Sequence, residues 1–277
     1  MTIVRTVADV RAVLAPMRAT NQTIALVPTM GALHKGHVAL FEAARRASDV
    51  VVATIFVNPS QFGDPQDYSM YPRDEAADAD VARAAGVDVI FAPSVDELYP
   101  NGYATWVSVD GPAAGLEGEF RPGHFRGVAT VCIKFFMCVA PAVAFFGQKD
   151  AQQVAVLRQV VRDLNLDLEI RVVPIVRDAD GLALSSRNAR LSAEERTRAL
   201  AIPRALEAGL SAYRAQKDPV GAARAALDGL DVDYVAIAEF DGQPTLAIAA
   251  RVGRTRLIDN VPLISTGTSE ALATSSP

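Results

Sequence analysis

His34 and His37 are the residues of this 277-residue chain whose type and spacing most directly suggest chemistry. They lie in the run Val27-Pro28-Thr29-Met30-Gly31-Ala32-Leu33-His34-Lys35-Gly36-His37. Residues three apart on a first helical turn share a face, so the two imidazoles together could donate hydrogen bonds to a polyphosphate. Gly31 and Gly36 carry no Cβ and would let a nucleotide lie against the backbone. The competing reading takes each histidine as partly buried and satisfied by local hydrogen bonds. Against it, the chain has only three histidines, and two of them flank a glycine in this turn.

Four further stretches carry suitable groups. In Asn58-Pro59-Ser60-Gln61-Phe62-Gly63, Asn58 and Gln61 offer amides to a small polar substrate, or else turn chemistry plus a solvated glutamine. In Gly147-Gln148-Lys149-Asp150, Lys149 could neutralise phosphate charge. Asp150 could hold Mg²⁺ directly or through water, or cap the helix that follows. Gln152 and Gln153 begin that helix, and one of them could face a pocket. Leu184-Ser185-Ser186-Arg187-Asn188 sets two hydroxyls, a guanidinium and an amide in succession. They suit a mobile loop closing on a triphosphate, or a polar turn before the capping box Ser192-x-x-Glu195. The basic stretch Arg121-Pro122-Gly123-His124-Phe125-Arg126-Gly127 could contact phosphates, cover a site as a lid, or serve as a solvated connection.

Positioning these groups calls for alternating strands and helices. The apolar run Ile24 to Val27, a helix over Val38 to Ala47 and a continuous apolar strand over Val50 to Val57 make one βαβ unit. The histidine turn then falls at the carboxyl edge of a parallel sheet, next to the positive end of a helix. Thr6 and Asp9 mark a helix start that continues through Val10, Val13, Leu14 and Met17. Further on, the pattern predicts a helix over Glu75 to Ala85 and strands over Val87 to Phe91, Ala104 to Val109 and Leu168 to Val176. Val128 to Phe146 is long and apolar, but Lys134 and Pro141 favour a buried helix, a turn and a core strand over a membrane span. From Arg177 the order changes: helices over Ala193 to Arg214 and Val220 to Leu230 precede strand patterns at Tyr234 to Ala238, Thr245 to Ala250 and Thr255 to Asp259. The expected fold class is α/β: a Rossmann-like parallel sheet with helices on both faces over 1–176, plus a smaller α+β C-terminal domain over 177–264. A disordered, Ser/Thr/Gly/Ala-rich tail is expected over 265–277.

With 27 basic and 32 acidic residues the formal charge is −5, so no overall field draws the chain to nucleic acid or an acidic membrane. A polyanionic substrate needs a local basic site. Cys132 and Cys138 sit in one apolar run and read as buried thiols. Residues 1–20 lack a continuous apolar signal core, so the expected location is cytoplasmic.

His34-Lys35-Gly36-His37 resembles the H-x-G-H signature of the nucleotidylyltransferase and class I aminoacyl-tRNA synthetase superfamily. Taken in order, V-P-T-M-G-A-L-H-K-G-H, F-V-N-P-S-Q-F, R-P-G-H-F-R-G-V, F-F-G-Q-K-D-A-Q-Q and L-S-S-R-N resemble the pantothenate synthetase family, over about residues 24 to 190. The resemblance implies ATP-dependent condensation of pantoate with β-alanine through a pantoyl-adenylate, with ATP as substrate, Mg²⁺ as cofactor and a homodimer as the assembly. It implies that Met30, Gly31, Ala32, Leu33, His34, Lys35, Gly36 and His37 bind ATP, His37 being the family's designated proton donor. Gly147, Gln148, Lys149 and Asp150 would contact nucleotide and phosphate, Val176 the adenine, and Leu184, Ser185, Ser186 and Arg187 the phosphates in a C-terminal lid. Gln61 and Gln153 would hold pantoate, Gln61 also lying near β-alanine. Lys35 stands where an acidic residue is common, Ser60 where Thr is common and Gln148 where Glu is common.

The chemistry needs charge neutralisation more than a covalent nucleophile, because a carboxylate must meet the α-phosphorus of ATP. His34, His37, Lys149, Arg187 and Mg²⁺ suit that work, and Asp150 is the candidate metal contact. Three rival readings share the histidine turn: another nucleotidylyltransferase, a tRNA synthetase (for which the chain is short and acidic), and a non-catalytic nucleotide sensor.

Overall fold

The computed structural model describes residues 1–264 apart from Asp241; the tail expected from Ser265 lies outside the described residues. Two compact units meet in sequence at Val176 and Arg177.

The first unit begins with β1 (Thr2–Val4), α1 (Val7–Ala19), β2 (Ile24–Val27), α2 (Lys35–Ala47) and β3 (Val50–Thr54). Thr6 caps α1 by accepting the Asp9 N–H, as the spacing predicts. Next come α3 (Pro65–Ser69), α4 (Glu75–Ala84), β4 (Val89–Phe91), α5 (Val95–Leu98), α6 (Leu116–Phe120) and α7 (His124–Val139). The unit closes with β5 (Val143–Gly147), α8 (Ala151–Asp163) and β6 (Glu169–Val173). The six strands form one sheet in the order β1-β4-β3-β2-β5-β6, every pairing parallel.

Successive residues of a strand point to opposite faces, and here both faces are apolar. Ile24, Leu26, Val50 and Val52 pack on one side with Leu14 of α1, Val131 and Phe135 of α7 and Leu157 of α8. Ala25, Val27, Val51 and Ala53 pack on the other with Phe41 of α2 and Ala79 and Ala82 of α4. The long apolar run resolves into α7, a turn at Pro141 and β5, and no helix among the described residues is long and apolar enough to cross a membrane.

Several sequence expectations fall short in this unit, among them the strand expected over Val50 to Val57, which ends at Thr54. Ala104 to Val109 is not a strand: the Val107 N–H donates to Thr130 Oγ1 at 3.0 Å in place of a ladder partner, and Trp106 stacks on Tyr99. β6 stops at Val173 instead of continuing to Val176, because Pro174 has no N–H to pair.

The second unit holds α9 (Ala193–Ala199), α10 (Ala201–Arg214) and α11 (Pro219–Ala225), then β7 (Asp231–Phe240), β8 (Gln243–Val252) and β9 (Thr255–Pro262) in an antiparallel sheet. Ile202 and Leu206 of α10 pack with Leu246 and Ile248 of β8. The single helix expected over Ala193 to Arg214 is broken at Leu200; Pro203 lacks the N–H that would bond the Ala199 carbonyl and continue it.

Candidate active site

Strand order decides which loops meet. β2 lies between β3 and β5, with Val27 opposite Ala53 and Leu26 opposite Ala144. The loops after three adjacent strands therefore open on one edge: Met30 to His37 after β2, Asn58 to Gln61 after β3, and Gln148 to Asp150 after β5. The winding direction reverses between β2 and β5, where open α/β sheets leave a crevice for ligands.

The histidine turn is held from two sides. Thr29 Oγ1 donates to the Thr54 carbonyl at 2.5 Å and accepts the Gly31 N–H at 3.2 Å, tying the turn to β3. Asp78 of α4, 4% exposed, accepts the N–H groups of Ala32 at 3.0 Å and Leu33 at 2.7 Å. Gly31 takes φ +79°, and a Cβ there would stand 2.6 Å from Asp78 Oδ2. Asp78 escapes a reading for chemical motifs because it sits in an Ala/Asp-rich helix. Its one signal is an acid on the same face as buried Ala82, four residues on.

His34 caps α2, and the two histidines bind reciprocally. The Gly36 N–H donates to His34 Nδ1 at 3.1 Å, and the His34 N–H donates to His37 Nδ1 at 3.2 Å. The ring centroids are 4.1 Å apart. A nitrogen that accepts an N–H carries no proton, so these bonds assign both rings the neutral Nε2–H tautomer. Burial first, then the nearby His34 and Lys149, pushes the His37 pKa down to about 3. The local hydrogen bonding of the competing reading is therefore present at both histidines: each Nδ1 is used internally while each Nε2 carries the proton.

Gln61 is 9% exposed; its Nε2 donates to Met30 Sδ at 3.2 Å and its Oε1 accepts from Asn58 Nδ2 at 3.0 Å. The turns after β2 and β3 are therefore in contact. Asn58, 1% exposed, does not reach a substrate as the sequence suggested. Its Nδ2 also donates to the Gly127 carbonyl at 3.2 Å, and its Oδ1 accepts from Ser60 Oγ at 2.8 Å and the Tyr99 hydroxyl at 2.9 Å. Asn58 is a hub that fixes Gln61.

Lys149 Nζ lies 3.5 Å from Asp150 Oδ1. Asp150 stands at the first position before α8 but makes no capping bond, so the capping alternative is not what its carboxylate does. Among the described residues no group of three or more His, Cys, Asp or Glu is placed to hold a metal ion. A single carboxylate still fits Mg²⁺, which is commonly held by one or two carboxylates together with waters and substrate phosphates. Of the two glutamines opening α8, Gln152 is buried, its Nε2 donating to the carbonyls of Pro112, Ala114 and Gly115, while Gln153 is half-buried. Val176 ends the first unit, half-buried.

Within the second unit, Leu184 to Arg187 are half-buried. Ser185 Oγ accepts the Arg187 N–H at 3.2 Å, and Asn188 Nδ2 donates to the Ala183 carbonyl at 2.9 Å. The Ser192–Glu195 capping box expected after this turn is present.

A family model described as pantoate-β-alanine ligase matches residues 2–262. The chain is 48% identical to the pantothenate synthetase of Moorella thermoacetica, over 95% of this chain and 99% of that protein. It is 50% identical to that of Rhizorhabdus wittichii, over 94% and 98%. The crystal structure of the Thermus thermophilus pantothenate synthetase superposes with a TM-score of 0.90 at 44% identity, covering 95% of this chain and 99% of that one. A Francisella tularensis pantoate-β-alanine ligase, crystallised with Beta-gamma ATP and β-alanine, superposes with a TM-score of 0.82 at 33% identity over 95% and 98%. The chain belongs to the pantoate-β-alanine ligase family.

Proposed function

We propose that the edge formed by β3, β2 and β5 binds ATP beside pantoate and builds a pantoyl-adenylate on the way to pantothenate. ATP-dependent ligation of pantoate and β-alanine is the activity of the family to which the chain belongs. The observation that carries the site is the contact of the loops after β2 and β3, with Gln61 Nε2 on Met30 Sδ, and the Lys149 charge from the loop after β5 acting on His37. ATP and β-alanine bound to the Francisella relative support the same ligands here.

In the first step a pantoate carboxylate oxygen attacks the α-phosphorus and pyrophosphate leaves. In the second, the neutral β-alanine amine attacks the acyl carbon, the acyl C–O bond breaks, AMP leaves, and the amine proton passes to solvent. The backbone of Met30 to His37, with Gly147 to Asp150, is the ATP cradle, and Gln61 and Gln153 hold pantoate. His37, neutral, serves as the designated donor by offering its Nε2–H to phosphate oxygen as that atom gains charge. Lys149 supplies positive charge. Mg²⁺, held by Asp150 and the phosphates, would offset charge on the triphosphate. Val176 as an adenine contact, and Leu184, Ser185, Ser186 and Arg187 as phosphate contacts on a lid, rest on the family resemblance and on their residue types. The homodimer and cytoplasmic location have the same support.

The test is exchange of labelled pyrophosphate into ATP with Mg²⁺ and pantoate present and β-alanine absent. Pantoate-dependent exchange is expected. Folded, ATP-binding protein that gives no exchange refutes the adenylate route.

A further inference from the structure

The stretch Arg121 to Gly127 is neither a solvated connection nor a detached loop. Its last four residues begin α7, His124 is 7% exposed, and its contacts lead to Gln61. His124 Nδ1 lies 3.0 Å from the Gln61 carbonyl oxygen. A carbonyl can only accept, so Nδ1 carries the proton. His124 Nε2 is then an acceptor, and Arg121 Nη1 lies 3.1 Å from it. Arg121 also places Nη1 3.4 Å from Glu117 Oε2 and donates from Nη2 to the same Gln61 carbonyl at 3.4 Å. Burial, reinforced by the Arg121 charge, lowers the His124 pKa to about 3, so the ring stays neutral and keeps both bonds.

The fit is tight as well as polar. A Cβ on Gly127 would stand 2.4 Å from the Ser60 carbonyl oxygen and 2.7 Å from the Gln61 nitrogen. Only a glycine lets α7 approach the Asn58–Gln61 turn so closely. The Gln61 backbone is therefore gripped by His124 and Arg121, and its side chain by Asn58.

We infer that His124, oriented by Arg121, is a positioning residue that aims the Gln61 amide at the hydroxy-acid substrate. The inference rests on the proposed reading of Gln61 as the pantoate ligand. It assigns His124 the tautomer opposite to that of His34 and His37: proton on Nδ1 in one ring, on Nε2 in the other two.

Two measurements test it. In protein labelled with ¹⁵N-histidine, one ring is expected as the Nδ1–H tautomer, and His124→Asn should remove that signal. An Nε2–H tautomer at His124 would overturn the proposal. In steady-state kinetics, His124→Leu removes the shorter of the two bonds to the Gln61 carbonyl, leaving only the 3.4 Å bond from Arg121, and is expected to raise the pantoate KM about tenfold while the ATP KM stays within twofold. His124→Asn, whose Nδ2 can take the place of Nδ1, should stay within about threefold of the parent. Arg121→Met should raise the pantoate KM about threefold with the ATP KM unchanged; should the leucine variant not fold, a folded Arg121→Met with an unchanged pantoate KM overturns the positioning role. A pantoate KM unchanged in folded His124→Leu, or a matching rise in both KM values, sinks the positioning role. Gln61→Ala separates the two failures. If it leaves the pantoate KM unchanged, the reading of Gln61 is wrong; if it raises that KM while His124→Leu does not, only the positioning role is wrong.

Discussion

Replacing Asp78 by Asn should cripple the use of ATP without touching any atom that meets it. The buried carboxylate accepts the Ala32 and Leu33 N–H groups at 3.0 and 2.7 Å. Hydrogen bonds to a charged group contribute roughly 1.5–3 kcal/mol each. Asparagine keeps the shape but turns one acceptor into a donor facing an N–H, and at 4% exposure no water can easily replace the lost partner. About 2–3 kcal/mol of the turn's order must then come from ATP binding, which converts to about a 30- to 150-fold loss in kcat/KM for ATP. The pantoate KM should change little, because Gln61 is held by Asn58, His124 and Arg121. The assay varies ATP at saturating pantoate and β-alanine, with a thermal melt to confirm folding. A folded Asp78→Asn variant within threefold of the parent in kcat/KM for ATP would refute the claim that this carboxylate orders the turn.

Three further outcomes follow from the same geometry. Gly31→Ala puts a side chain at φ +79° and a Cβ 2.6 Å from Asp78 Oδ2, and should lower kcat/KM for ATP by about tenfold, as initial rates will report. His37→Ala removes a preorganised donor and should cost about 10²- to 10³-fold in single-turnover adenylate formation, whereas His37→Gln, with an amide N–H near the Nε2 position, should recover part of it. Stability should fall on acidification: His37 and His124 have folded pKa values near 3 against about 6.5 unfolded, so between those pH values the unfolded chain binds more protons. Each contributes stability that is complete above pH 6.5 and is lost at up to about 1.4 kcal/mol per pH unit as pH falls towards 3. Urea unfolding at pH 7 and pH 5 measures it, and a His124→Asn variant that keeps the full slope would show that His124 is not the source.

The sequence exposes the parts of the fold that depend on local pattern. Apolar runs at β2, β3 and β5 are continuous because both sheet faces are covered, and that continuity is visible without coordinates. Ala104 to Val109 has the same local look, yet its Val107 N–H finds a hydroxyl on α7 and never joins a sheet; a partner 23 residues away leaves no local trace. The break at Leu200 was readable from Pro203, since a missing N–H is a property of the residue itself. Among the residues of the proposed site, those near a Gly-rich turn or strand end stand out: His34, His37, Gln61, Lys149. Asp78 and Asn58 act through backbone and amide groups supplied by other elements, so their meaning depends on distances that spacing does not encode.

The division of labour in the site follows from where protons sit. A neutral His37 contributes a directed dipole but no charge, and Asp78 adds a buried negative group behind the turn after β2. In a chain of net charge −5, attraction for a triphosphate must therefore come from a few cations and the amino end of α2. Lys149 is the cation whose field reaches His37, and its bond partner Asp150 is 44% exposed. On the proposed function, an arriving phosphate competes with Asp150 for Lys149, and the freed carboxylate can turn to Mg²⁺. Lys149→Ala should then weaken ATP binding and Mg²⁺ dependence together, whereas Asp150→Asn should alter mainly the Mg²⁺ dependence. Titration of both variants with Mg²⁺ at fixed ATP separates these effects, and equal shifts in the two variants would show that Lys149 and Asp150 act only as a pair.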